Sequence, residues 1–105
     1  MRILFDQGVP APLRKYLTGH HVETAYERGW ATMENGSLLA AAQTAFDLFL
    51  TTDKNLRYQQ NLADRTIAIA VLPTTQWPLL ETQVESLATQ IGAIKPGSFV
   101  DITIG

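Results

Sequence analysis

A chain of 105 residues has material for one core and little for a second, so a single domain spans 1–105. Hydrophobic residues at 46% with a charged fraction of 17% exclude a disordered chain, and a net charge of −2 excludes an overall basic footprint, so any nucleic-acid contact must come from a local patch. The absence of cysteine excludes disulfides, thiolate metal sites and a thiol nucleophile.

Met1 leads straight into a short apolar strand, Arg2 to Phe5, with no hydrophobic leader before it. No run of about 18 apolar residues follows anywhere, so the expectation is a cytoplasmic protein without a membrane span. After a loop, Asp6 to Pro10, Leu13, Tyr16 and Leu17 give the segment Ala11–Leu17 one apolar face, which predicts a short helix stopped near Gly19. His21–Ala25 reads as a second strand, and Tyr26 to Glu34 as a loop. Asn35 is placed to cap a helix whose buried stripe is Leu38, Leu39, Ala42 and Phe46.

Leu48, Phe49 and Leu50 form a continuous apolar run, extended by the β-branched Thr51 and Thr52 and broken by Asp53, Lys54 and Asn55. This is a buried strand, with one or two helical turns expected over Leu56–Leu62 behind it. Ile67–Leu72 is apolar throughout, as expected of a strand buried on both faces of a parallel sheet. Trp77-Pro78 opens a predicted long helix carrying Leu80, Val84, Leu87, Ala88 and Ile91 and closed by Gly92. Beyond the Lys95-Pro96-Gly97 turn, Val100, Ile102 and Ile104 alternate with Asp101 and Thr103 as an edge strand does. The order predicts a three-layer α/β domain, a mainly parallel sheet of about five strands flanked by helices with right-handed crossovers.

Two of these strands end in a carboxylate, Asp6 and Asp53, at the sheet end where open α/β sheets keep their ligand sites. Two strand-end acids predict one shared site. Each also has a plain reading as a turn former, since aspartate bonds readily to the backbone two residues on.

The opening RILFDQGVP, the GHHVETA strand, the ENGSLLAAA helix start and the TTDKNL strand end together resemble the small PIN-like domains, over nearly the whole chain. That resemblance implies a parallel α/β PIN-like fold in which clustered carboxylates hold Mg²⁺ or Mn²⁺ and cleave RNA, often as the toxin half of a toxin-antitoxin pair. It matches Asp6 and Asp53 to the first and last acids, Glu27 to the middle acid and Asn35 to a position usually occupied by aspartate. Two departures thin the charge: Gln7 follows Asp6 where a glutamate is common, and Asn35 is neutral.

A phosphodiester site uses carboxylates because hard cations take oxygen ligands, and the ion polarises the phosphate and activates water. With Asp6, Asp53 and Glu27 ionised and Asn35 neutral, the expectation is weak binding of a single Mg²⁺ or Mn²⁺, with Asp6 and Asp53 catalytic. Lys54, Arg57 and Tyr58 follow the second acid and are placed to grip a phosphate backbone and stack a base. The competing readings are a solvated loop glutamate at position 27, a pure N-cap at Asn35 and a solvated helical face at Lys54–Asn61. His20 and His21 are adjacent and receive no catalytic role. The expected function is a metal-dependent ribonuclease with a partly degraded acidic site. The alternative is a non-catalytic module that binds RNA or a protein partner. A small antitoxin-like protein and a second copy of the chain are the expected protein partners.

Overall fold

The computed structural model describes residues 1–56 and 65–105, apart from the side chain of Asn35. In these residues β1 (Arg2–Phe5), β2 (His21–Thr24), β3 (Leu48–Thr51), β4 (Ala68–Val71) and β5 (Phe99–Asp101) form one sheet. Its order is β2-β1-β3-β4-β5, one of the two common doubly wound orders, and every neighbouring pair is parallel. The helical segments are a 3-10 helix (Ala11–Tyr16), α1 (Asn35–Ala42), α2 (Trp77–Glu81) and α3 (Val84–Gly92). The domain is thus α/β with an all-parallel sheet, as the apolar runs predict.

Strand parity divides the core in two. Ile3, Phe5, Leu48, Leu50, Ala68 and Ala70 pack with Leu13 of the 3-10 helix, Leu80 of α2, and Leu87 and Ile91 of α3. On the opposite parity, Leu4, Phe49, Ile69 and Val71 pack with Leu38, Leu39 and Ala42 of α1 and with Phe46 and Leu56. Both faces of the sheet are therefore covered, which is why β3 and β4 are buried at every residue and read as unbroken apolar runs. Each leucine so buried contributes on the order of 2 kcal/mol.

Three local expectations are corrected. The predicted helix from Trp77 to Gly92 is two helices, because Gln83 leaves the helical region at φ −124° and ψ 21°. The Thr82 hydroxyl donates to the Leu79 carbonyl at 2.9 Å, a local side-chain bond that competes with helix continuation, and the new helix starts with Leu87 N–H bonding Gln83. The buried spacing of Leu80, Leu87 and Ile91 survives the break. Asn35 is the first helical residue rather than the N-cap. Glu34 holds the cap position, since its carbonyl accepts the Leu38 N–H at 2.8 Å and so starts the helix one residue early. The segment after β1 is a 3-10 helix, whose i to i+3 bonds from Leu13 to Pro10 and from Leu17 to Arg14 suit so short a connection. The helical turns expected over Leu56–Leu62 fall, after Leu56, outside the described residues.

β5 pairs only with β4 and is the edge strand the alternation predicts, with Ile102 beyond it buried in the first core. Gly97, at φ +77°, makes the turn before it in a conformation that other residues rarely adopt. Asp47 accepts the Arg2 N–H at 2.7 Å and so fixes the start of β1 beside β3. No helix among the described residues is long and apolar enough to cross a membrane.

Candidate functional site

From β1 the chain crosses to β2 on one side, then returns through α1 to β3 on the other side of β1. By strand order the chain leaves β1 for β2 and leaves β3 for β4, on opposite sides, so the carboxyl ends of β1 and β3 mark the topological switch point, the usual ligand position in such sheets. Asp6 follows β1 and Thr51 ends β3, with Asp53 two residues further on. The Asp6 N–H still bonds the Leu50 carbonyl at 3.0 Å, so its side chain is held by the sheet itself and not by a free loop.

Asp6 is buried, at 7% exposure, and Thr51 is fully buried. The Thr51 hydroxyl donates to Asp6 Oδ2, and Gly8 N–H donates to Asp6 Oδ1 at 3.0 Å. The same Thr51 oxygen accepts the Asp53 N–H at 3.0 Å. One hydroxyl therefore ties the side chain of the first acid to the backbone of the second. Asp53 in turn accepts Asn55 N–H at 3.0 Å, the local turn bond expected of aspartate after a strand. Burial raises the Asp6 pKa above its ordinary value; the bonds from Thr51 and Gly8 oppose that rise, and the nearby Asp53 carboxylate adds to it.

Gly8 is required for this packing. A Cβ built there would overlap the Thr52 hydroxyl while lying 3.6 Å from Asp6 Oδ1. The backbone of the β1 loop thus lies directly against the end of β3. Gln7 donates its side-chain amide to the Ala31 carbonyl at 2.9 Å, joining this loop to the one before α1.

Glu27 lies in the turn after β2, at the same end of the sheet, with its carboxylate already engaged. Arg14 grips it with two bonds of 2.5 and 3.1 Å, and the Thr24 N–H donates to it at 2.9 Å. The Glu27 N–H returns a bond to the Thr24 hydroxyl at 3.1 Å, which completes a reciprocal capping arrangement around the turn. The Arg14 contacts lead in holding the Glu27 pKa down at about 2. Lys54 is exposed beside Asp53. Arg57 and Tyr58, expected to bind substrate, lie outside the described residues, as does the side chain of Asn35, expected among the metal ligands.

The structure therefore brings Asp6 and Asp53 together through Thr51 and leaves Glu27 in a separate network with Arg14. Among the described residues, no three His, Cys, Asp or Glu side chains converge as a metal-holding group. Thr51 and Gly8 are the contributors that residue-type reasoning misses. The signal for Thr51 was the Thr-x-Asp spacing, which puts positions 51 and 53 on one face of an extended chain. No protein-family model matches this chain, and no curated protein or solved structure is significantly similar to it.

Proposed function

We propose that this chain is a ribonuclease of the toxin-antitoxin type that depends on a single Mg²⁺ or Mn²⁺ held by Asp6 and Asp53. The observation that carries the reading is a buried carboxylate, Asp6, at the switch point beside a second carboxylate, Asp53, whose charge adds to the cost of ionising Asp6. A hard divalent cation relieves that cost, and its chemistry, charge stabilisation on a phosphate and activation of water, fits an all-oxygen donor set. Two carboxylates with neutral hydroxyls nearby suit one weakly held ion. Asp6 is positioned by Thr51 and Gly8, and Asp53 by Thr51 and Asn55, so both acids are preorganised. RNA as the substrate, a small antitoxin-like partner and a cytoplasmic location come from the resemblance of the strand-end motifs to PIN-like domains. The capture of Glu27 by Arg14 favours a second reading, a non-catalytic module with the same fold that binds RNA or a protein.

Thermal unfolding with increasing Mn²⁺ separates the two, run on the wild type beside Asp6→Asn. Ion at about a hundred times its dissociation constant stabilises the native state by roughly 2.7 kcal/mol, on the order of ten degrees for a domain of this size. The expected result is a rise in the wild type that Asp6→Asn abolishes, followed by Mn²⁺-dependent cleavage of RNA. A flat response in both proteins refutes the metal site and leaves the non-catalytic module.

A further inference from the structure

The outer edge of β2 carries a cationic and aromatic surface that plays no part in the acid pair. In the β1–β2 register Arg2 stands beside His21 and Leu4 beside Glu23, so Arg2, His21 and Glu23 share the α1 side of the sheet edge. Among the described residues Glu23 is the acid that pairs with the side chains of this group, while Asp47 accepts the Arg2 backbone N–H. His21 Nε2 lies 2.9 Å from it, and the Arg2 and Arg28 guanidiniums each stand 3.7 Å away. That distance is beyond a hydrogen bond, so Glu23 attracts both guanidiniums without consuming their donors.

Aromatic rings fix those cations in place. The Arg28 guanidinium sits 4.6 Å from the centre of the Trp30 ring and 5.4 Å from that of Phe46, and Arg2 sits 5.5 Å from the Phe46 ring. Trp30 and Phe46 meet edge to face at 6.4 Å. Two residues before Arg28, Tyr26 is 77% exposed, the most exposed large hydrophobic side chain among the described residues. It lies in the turn at the carboxyl end of β2, the same end of the sheet as Asp6 and Asp53.

We infer that this edge is a binding track for single-stranded RNA, with Tyr26 as a stacking platform and Arg28 and Arg2 as phosphate contacts leading away from the acid pair. The inference rests on the reading of RNA as the substrate. Guanidiniums held against aromatic rings, with no side-chain hydrogen bond of their own among the described residues, match a phosphate backbone, and an exposed tyrosine ring stacks any base. Among the described residues two guanidiniums and an imidazole stand here with the Glu23 carboxylate, and the Asp47 carboxylate beside them is taken up by the Arg2 backbone N–H, so a phosphate backbone is favoured over an acidic or apolar protein segment.

The test is fluorescence anisotropy of a labelled single-stranded oligouridine with the full chain in EDTA, which removes any metal-dependent step, over about 50 to 200 mM salt. Arg2→Gln with Arg28→Gln is expected to weaken binding by about tenfold or more at the low-salt end and to reduce the salt slope by about two. Tyr26→Ala is expected to weaken it about fivefold or more with little change in slope. Because Arg28 packs on Trp30, Arg2→Gln alone is measured as well. Arg2 and Tyr26 are exposed, so their variants report on binding even where the double variant fails to fold. Unchanged affinity and slope in Arg2→Gln together with unchanged affinity in Tyr26→Ala overturn the track, as does a wild type that binds no RNA at the lowest salt. Asp6→Asn in the same assay keeps the two readings apart. Loss of Mn²⁺ stabilisation with intact RNA binding removes the metal site and leaves the track standing.

Discussion

Thr51→Val is the sharpest probe of the acid pair, because valine keeps the shape and strand preference of threonine and removes only the hydroxyl. That hydroxyl is fully buried, donates to Asp6 Oδ2 and accepts Asp53 N–H at 3.0 Å. A hydrogen bond to a charged group contributes about 1.5–3 kcal/mol and a neutral one about 1 kcal/mol, and a buried partner left unsatisfied costs its desolvation as well. The expected loss is therefore about 2–4 kcal/mol, which lowers the unfolding midpoint by about 10–20 °C. Removing the Thr51 bond also takes away the chief influence holding the Asp6 pKa down, so that pKa rises further. Thr51→Ser keeps the hydroxyl and gives up one buried methyl, for about 1 kcal/mol. Thermal and urea unfolding of the three proteins at neutral pH measure both differences. The reasoning fails if valine is as stable as serine, for then the hydroxyl makes no bond worth its burial. A Mn²⁺ titration adds a readout that packing alone does not move. Valine is expected to weaken the ion and serine to keep it.

Two further outcomes follow from the same geometry. Gly8→Ala forces a Cβ into the Thr52 hydroxyl and is expected to cost about 1–3 kcal/mol. The double variant with Thr52→Ala is expected to recover most of it, and a double variant no more stable than Gly8→Ala places the strain elsewhere. The second concerns pH in the absence of metal. The folded pKa of Asp6 is raised above 3.8, so its proton favours the native state; the stability it contributes is full below 3.8 and is lost as pH rises through the folded pKa. Asp6→Asn escapes that loss. Its midpoint relative to the wild type is expected to climb over this window and then level off, whereas a difference constant from about pH 3 to pH 7 means that burial imposes no cost on the ionised carboxylate.

Most of the fold was legible because burial on both faces leaves an unambiguous trace. Leu48 to Leu50 and Ile67 to Leu72 are apolar without interruption, and no half-exposed strand or surface helix accounts for that. The shared position of Asp6 and Asp53 was legible for a similar reason: both acids follow parallel strands, and parallel strands present their ends at one side of the sheet. Strand order was not, since no local pattern says that β1 lies between β2 and β3. The break at Thr82-Gln83 was hidden because Leu80, Leu87 and Ile91 keep a helical spacing across it. Glu27 illustrates a different limit. Its fate depends on Arg14, thirteen residues away and on a different element, and a bidentate ion pair between a 3-10 helix and a turn leaves no periodic signature. Thr51 was visible as a strand former, while its hydroxyl acquires a role only when β3 is set beside β1.

The plain alternative for both acids is that they are turn formers, and burial sets Asp6 apart from a surface turn. A turn aspartate satisfies the backbone from the surface, as Asp53 does in part with Asn55. Asp6 makes the same turn bond, with Gly8, but makes it from a buried position. Asp6 and Thr51 are the two buried polar or charged residues among the described residues, and they are bonded to each other. Everything else in the core is apolar, so a chain shaped for stability alone had apolar residues as the cheaper choice at both positions. Scattered polar burial reads as local capping, but among the described residues it is confined to one pair at the switch point between β1 and β3. The charge it places there is destabilising unless something positive answers it, and no cation is paired with Asp6 among the described residues. A fold that keeps one destabilising carboxylate at the one position where parallel sheets bind ligands has the form expected of a functional site, where local rules are broken and the rest of the core supplies the stability.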